Sequence, residues 1–373
     1  MPRAGAGEGA SGRDTAIDSL RGLCIVAMVV AHLAKGSWLD QAAHPLPGVD
    51  GASGFFLLSG LLVGLVQRAT IERHGESAGR RKLLRRVGLL YLAHLAISGL
   101  ALTVVAFDST RAAELPSVAG EGGWALALLR AVTLQINPAY VSVLSVYVVV
   151  MLAVLPLLWA LHRGRWALGA GYAVIVYGIG IASPGLTEMA QRGGDRGGWS
   201  YGAWFGVFAV GATIGWSWRR PGVQSAVRSR RALVIGTAAM AVGTVVAVLM
   251  TSTGIAVRVI EKETFGPGRI LLALAVFFVL WRAVTAVQRV PAVRTAIRPL
   301  TDVGQFSLDS YLILSIAVLV VPSLGDHDQS SATGVLVAVL VLACCVGWAR
   351  GRIWLKSRSG ASATVVAGRA DHL

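Results

Sequence analysis

The chain has 373 residues, of which 55% are hydrophobic and 14% are charged, and its mean hydropathy is +0.65. A soluble domain carries about 25% charged residues, so the composition argues against a soluble protein. The net charge of +15 is spread over short segments between apolar runs, and no solvated basic domain is present, which argues against nucleic-acid binding.

The apolar runs are about 17–25 residues long, which is the length that a helix needs to cross a bilayer. We therefore predict an all-α, polytopic membrane protein with ten transmembrane helices. The predicted spans are 17–35, 52–67, 87–106, 141–161, 167–184, 202–217, 233–253, 269–286, 303–323 and 333–349. A further apolar stretch, 123–135, is too short to span and is predicted to lie along the interface or to re-enter.

Lys and Arg residues are distributed unevenly among the predicted loops. If the N-terminus is cytoplasmic, the inner segments hold 25 of the 34 basic residues and the outer segments hold eight. Cytoplasmic loops carry such an excess, so both termini are predicted to be cytoplasmic. The predicted organisation is a disordered tail over 1–15, a transmembrane domain over 16–350 and a basic tail over 351–373.

Cysteine usage predicts neither a disulfide framework nor a metal site. Cys24, Cys344 and Cys345 all fall in apolar runs, and no Cys/His spacing suits zinc. We interpret all three as buried, small apolar residues.

The first predicted span carries Arg21 and His32, eleven residues apart. Eleven helical residues turn through about 1100°, so both side chains project from one face, separated by about 16 Å along the axis. Ionisable groups inside a span are costly and usually functional. We interpret His32 as a general base facing a cavity. The alternative is a structural histidine bonded to a neighbouring helix.

Further candidates follow around the second and third spans. Asp50, at the outer mouth of the second span, is suited to orienting and charge-stabilising His32, to capping the helix, or to both. Arg85 and Arg86, at the cytoplasmic start of the third span, are candidates for holding phosphate groups. His94, two turns into that span, is a candidate for lining the same cavity.

Two candidates lie in the second half of the chain. Arg269, at the outer end of the eighth span with Lys262 nearby, is a candidate for holding an anionic acyl group or a sugar. Asp309 is one of few carboxylates within a predicted span, where it needs a partner or protonation. We therefore count it among the candidate functional residues.

The runs IDSLRGLCIVAMVVAHL, GVDGASGFFLLSG and RRVGLLYLAHL resemble the OpgC family of integral membrane acyltransferases. This family belongs to the wider acyltransferase-3 group. The hallmark of that group is an Arg followed, after ten residues, by a His in the first span, and Arg21 and His32 match this spacing. The later runs NPAYVSVLSVYVVVMLAVLPLLWAL, WSYGAWFGVFAVGATIG, KETFGPGRILLALA and VGQFSLDSYLILS resemble further blocks in the same order, so the resemblance covers roughly residues 15–350.

The resemblance implies transfer of an acyl group, succinyl in OpgC proteins proper, from cytoplasmic acyl-CoA to a glycan hydroxyl on the outer side of the membrane. It implies catalytic positions at His32, Asp50 and Asp309. The chain departs from the family pattern at Ser53 and Ser142, where acidic residues are expected, and at Ser145, where proline is expected.

We therefore predict an O-acyltransferase of a bacterial plasma membrane that moves a succinyl- or acetyl-class group from acyl-CoA to an extracytoplasmic glycan or glycolipid. Acyl-CoA is the co-substrate and no other cofactor is expected. Its phosphates would lie near Arg21, Arg85 and Arg86, and its pantetheine arm would extend from Arg21 to His32. Direct transfer and a covalent acyl-histidine intermediate both remain open.

Two other classes of protein fit the composition less well. A proton-coupled transporter or flippase for an anionic envelope precursor would use His32, Asp50 and Asp309 as a proton relay. The sequence shows no internal repeat of the kind that many transporters contain. A non-catalytic scaffold would have no use for the cost of charges inside the spans.

Overall fold

The computed structural model describes residues 14–138, 142–188, 199–253, 265–324 and 328–370. Helices dominate these residues, and no β-strand occurs among them, which confirms the all-α prediction. The longer helices are α1 Thr15–Leu33, α2 Gly51–His74, α3 Glu76–Phe107, α4 Val143–His162, α5 Trp166–Ala182, α6 Tyr201–Ser217, α7 Arg230–Thr253, α8 Pro267–Val287, α9 Arg298–Gln305, α10 Ser307–Val320 and α11 Ala332–Ala370. Short helices between them are Trp38–Ala43, Ser109–Ala113, Trp124–Val132, Pro184–Thr187, Pro221–Arg228, Pro291–Ala296 and Val321–Leu324.

Several of these helices have the length and apolarity of membrane spans. Seven qualify within the described part of the chain, namely α1, α2, α3, α4, α7, α8 and α11, and α9 with α10 would make an eighth although the two are bent by 88°. The chain is therefore a multi-pass membrane protein. Each of the ten predicted spans overlaps a helix or the bent pair, but the count of ten and the orientation of the termini stay predictions.

The apolar stretch around 123–135 forms the helix Trp124–Val132, which has nine residues and is too short to span. Ala127 and Ala131 are its buried positions, whereas Trp124 and Leu129 are exposed. One narrow face thus packs on the protein and the remaining apolar side chains face outward, as expected of a helix at the membrane interface.

The structure describes parts of both predicted tails and all three cysteines. Residues 1–13 lie outside the described residues, and α11 continues as a helix through most of the predicted tail 351–373, to Ala370. Cys24 and Cys345 are buried as predicted, but Cys344 is exposed. It lies on an apolar helix in a membrane protein, where an exposed position does not have to be polar.

The backbones of α2 and α6 are in direct contact along a seam of glycines. Gly60 and Gly64 lie on the α2 side, and Gly211 and Gly215 lie on the α6 side. An ideal Cβ at Gly215 would lie 2.7 Å from the carbonyl carbon of Leu61, closer than real side chains approach. Small residues let membrane helices approach in this way. The seam fixes α2, which follows Asp50, against α6.

A second close crossing joins α1 to α9. An ideal Cβ at Gly304 would lie 2.8 Å from the amide nitrogen of Gly22, and the hydroxyls of Ser19 and Thr301 are 2.7 Å apart. The chain then bends sharply at Phe306 and begins α10 with Ser307. The crossing therefore places the start of α10 beside the first half of α1.

Candidate active site

Asp50 caps the N-terminus of α2. Its backbone is extended, and its Oδ1 accepts hydrogen bonds from the amide nitrogen of Ser53 at 2.8 Å and from the Ser53 hydroxyl at 2.6 Å. This is the side-chain geometry of a helix N-cap, so the capping interpretation of Asp50 is confirmed. The other carboxylate oxygen, Oδ2, remains directed at a second partner.

That second partner is Arg269, at the start of α8. Its Nη2 lies 3.1 Å from Asp50 Oδ2, and its Nη2 and Nε lie 3.2 and 3.3 Å from Ser53 Oγ. The Arg269 side chain is 6% exposed and that of Asp50 is 18% exposed. Ser53 thus donates to the carboxylate and accepts from the guanidinium, which joins the three side chains into one network, named here the Asp50 clamp.

Phe265 packs against the Arg269 side chain of the Asp50 clamp. Its φ of 44° lies in the left-handed region, which is strained for a bulky side chain. The Arg269 guanidinium stands 5.3 Å from the centre of the Phe265 ring, and the Phe265 carbonyl accepts a hydrogen bond from Tyr177 at 2.9 Å. Strained residues persist where surrounding contacts hold them, and they concentrate at functional sites.

The N-terminus of α2 lies against the face of α1 that carries His32. An ideal Cβ at Gly51 would lie 2.6 Å from the carbonyl oxygen of Cys24 and 3.0 Å from Met28 Cγ. His32 is four residues beyond Met28, hence on the same face and about 6 Å farther along the axis. It is half-buried. The N-terminus of α2, which follows Asp50, therefore contacts α1 at Cys24 and Met28, one to two turns before His32 on this face.

Arg21 lies at the other end of this face of α1. The two levels of the bundle are named here the Arg21 end and the His32 end. Arg21 is 8% exposed, donates from Nη2 to Ser307 Oγ, and stands 5.8 Å from the centre of the Phe55 ring. Asp18 attracts the Arg21 guanidinium and Arg86 repels it. Arg21 and the half-buried Arg86 are thus close enough to act on each other electrostatically.

Arg85 and His94 lie apart from the residues around Arg21. Arg85 is exposed because it lies opposite the buried side of α3, which carries Leu83 and Val87. Arg86, 100° around the helix from Arg85, is half-buried. His94 is 2% exposed, with its Nε2 3.5 Å from Ser98 Oγ and its ring beside the backbone of the Trp124–Val132 helix. The contacts of His94 thus face the interfacial helix.

Asp309 also lies at the Arg21 end, two residues after Ser307. Its Oδ2 accepts a hydrogen bond from Trp348 Nε1 at 3.0 Å and lies 3.7 Å from Arg352 Nε, so its partners belong to α11. His32 is about 16 Å farther along α1 than Arg21. The structure therefore places Asp309 at the level of Arg21, with partners on α11 and not beside His32, and its catalytic role stays a prediction.

Three structural residues of the site were not singled out as functional by sequence reasoning. Ser53 stood out only as a departure from the family pattern, Ser307 lies in the quoted run VGQFSLDSYLILS, and Phe55 lies in GVDGASGFFLLSG. No periodicity marks them, because each acts through a contact with another helix. Lys262 lies outside the described residues.

The family model described as OpgC protein matches residues 13–357, nearly the whole chain. The chain belongs to the OpgC family. No curated protein matches it significantly. Membership of the OpgC family suggests a membrane glycan-modifying, acyltransferase-type role.

Proposed function

We propose that this OpgC-family protein is an O-acyltransferase that transfers a succinyl- or acetyl-class group from cytoplasmic acyl-CoA to a hydroxyl of an extracytoplasmic glycan or glycolipid. The observation that carries the proposal is the Asp50 clamp at the N-terminus of α2, which packs on the face of α1 that also carries His32. An imidazole needs a fixed carboxylate nearby to act efficiently as a general base, and the clamp fixes Asp50 with three donors, namely the Ser53 amide, the Ser53 hydroxyl and Arg269.

The donor end of the proposal rests on Arg21 and Arg86. Their mutual repulsion would be relieved by the phosphates of acyl-CoA, which guanidinium groups bind through charge-assisted hydrogen bonds. The thioester would then lie toward the His32 end, at the end of an extended pantetheine arm. Arg85 is too exposed to share this role and is expected to act in topology and lipid contact.

The proposed reaction uses His32 to take the proton of the acceptor hydroxyl. The hydroxyl oxygen attacks the thioester carbonyl carbon, the C–O ester bond forms as the C–S bond breaks, and the proton passes from the imidazolium to the departing thiolate. Asp50 stabilises the imidazolium, and Arg269 with Ser53 holds Asp50 in position. In the covalent variant, His32 attacks the thioester first and the acceptor hydroxyl then takes the acyl group from the imidazole.

The test is release of free CoA thiol by the purified protein in nanodiscs, fed a panel of acyl-CoAs together with envelope glycan. We expect release selective for one acyl group and lowered about 10²–10⁴-fold by His32→Ala, since general acid–base catalysis contributes that much. His74→Ala, at the exposed end of α2, is the matched control and should leave the rate unchanged.

Asp50→Asn refines the test, because asparagine still caps a helix but carries no charge. We expect this variant to fold and to lose most of the rate. Absence of thiol release from every acyl-CoA, with glycan present, would refute the proposed function and favour the proton-coupled transporter instead.

A further inference from the structure

Phe55 lies at the centre of a group of side chains from four helices. The Arg21 guanidinium carbon and the centre of the Tyr147 ring are each 5.8 Å from the centre of the Phe55 ring, and the Tyr311 ring is stacked on it at 6.4 Å. These side chains come from α1, α2, α4 and α10. They occupy the region between the Arg21 end and the Asp50 clamp.

This region contains buried polar atoms without hydrogen-bond partners. Among the described residues, Arg21 Nε, Ser59 Oγ and Tyr311 OH make no hydrogen bond, although all three residues are more than nine-tenths buried. Other hydroxyls approach two of these atoms, Tyr147 for Ser59 and Ser315 for Tyr311, without reaching hydrogen-bond geometry. Native proteins pair nearly all buried polar groups, so three unpaired groups in one region need an explanation.

The three atoms belong to three helices that meet around Phe55. Ser59 is one turn beyond Phe55 on α2, at the Arg21 end. Tyr311 is one turn beyond Ser307 on α10. This helix runs toward the His32 end, where Arg111 Nη1 donates a hydrogen bond to the carbonyl oxygen of Leu319 at 3.3 Å. Arg21 Nε and Ser59 therefore lie at the Arg21 end, and Tyr311 lies one turn along α10 toward the His32 end.

We propose that Ser59, Tyr311 and Arg21 Nε are the hydrogen-bond partners of the amide groups in the pantetheine arm of the donor; this inference rests on the proposed function. Arg Nε can only donate and would meet an amide carbonyl, whereas the two hydroxyls can donate or accept and so suit either side of an amide. The Phe55, Tyr147 and Tyr311 rings supply apolar walls for the methylene and methyl groups between the amides.

The inference predicts that Tyr311→Phe preserves or raises the stability of the free protein but weakens its binding of the donor. Without donor, removing an unpaired buried hydroxyl should leave the unfolding temperature unchanged or raise it, because nothing bonded is lost. With donor, the KM for acyl-CoA should rise about three- to tenfold while kcat stays within twofold, as expected for loss of one hydrogen bond. Ser59→Ala should behave in the same way.

Tyr172→Phe is the matched control. Its hydroxyl donates to the carbonyl oxygen of Ala153 at 2.8 Å, away from the group around Phe55. This variant should lower the unfolding temperature and leave the KM unchanged, the reverse of Tyr311→Phe.

Two results would overturn the inference. One is a KM for Tyr311→Phe and Ser59→Ala within twofold of the wild type, which would mean that buried water satisfies the hydroxyls. The other is a raised KM accompanied by a lowered unfolding temperature, which indicates a structural role. Failure of the proposed function is distinguishable from both, since the wild type would then release no thiol at all.

Discussion

Replacing Gly215 by alanine is expected to force α2 and α6 apart. An added methyl group would lie 2.7 Å from the carbonyl carbon of Leu61 and closer still to its oxygen, whereas ordinary contact begins near 3.4 Å. Neither backbone can give way locally, so the helices must separate by more than about 1 Å, a shift typical of overpacked cores. Such overpacking costs about 1–3 kcal/mol, and at about 2–4 °C per kcal/mol we expect the Tm to fall by about 2–12 °C.

The assay is thermal unfolding in nanodiscs followed by tryptophan fluorescence, with Gly99→Ala as the matched control. Gly99 lies within α3 and an added Cβ there would meet nothing within 4 Å. Alanine is favoured over glycine in a helix by about 0.5–1 kcal/mol, so this variant should keep or raise the Tm. A fall for Gly99→Ala as large as that for Gly215→Ala would refute the reasoning, since only one of the two sites is crowded.

A double variant tests whether the seam acts as one unit. Gly60 faces the backbone of Phe208 on the same seam, where an ideal Cβ would lie 3.0 Å from the carbonyl carbon. Once one methyl group has separated the helices, the second should cost less, so Gly60→Ala with Gly215→Ala should destabilise by less than the sum. Additive losses would mean that each glycine is accommodated locally.

Three further predictions concern the site. Arg269→Lys should lower the rate of thiol release about tenfold or more with little change in donor KM, because an ammonium group cannot reproduce the forked contacts to Ser53 and to the carboxylate; a wild-type rate would contradict the clamp. Arg86→Ala should raise the KM for acyl-CoA about tenfold, whereas Arg85→Ala should leave it within twofold. Equal effects of the two substitutions would show that the exposed side of α3 also binds the donor. Asp309→Asn should lower the Tm slightly and keep the rate within about threefold, because the partners of Asp309 lie on α11. A loss near 10²-fold at unchanged Tm would instead support its predicted catalytic role.

The helices could be predicted from the sequence because apolar length and helix formation coincide inside a membrane. The position of Asp50 could also be predicted, since a carboxylate three residues ahead of a helical amide has a local capping geometry. The different exposure of the Arg85 and Arg86 side chains could also have been predicted, because the apolar residues Leu83 and Val87 define the buried side of α3.

Contacts between distant helices could not be predicted. Asp309 was a candidate because it is a carboxylate within an apolar run, but the run does not show that Asp309 follows a bend of 88° between α9 and α10 and has its partners on α11. His94 shares a helix with Arg86, yet eight residues of rise take it to the interfacial helix. A single-sequence pattern describes one helix at a time and cannot show which helix covers each face.

The glycine seam has a consequence for the order of events during biosynthesis. Arg68 Nη1 donates to the carbonyl oxygen of Trp216 at 2.9 Å across the two helices, and these residues are 148 positions apart in the chain. At about 5–20 residues per second, α2 leaves the ribosome on the order of ten seconds before α6. During that interval its glycine groove has no native partner, and Asp50 precedes a helix that is not yet held in place. The candidate active site is thus assembled only after more than half of the chain has been made.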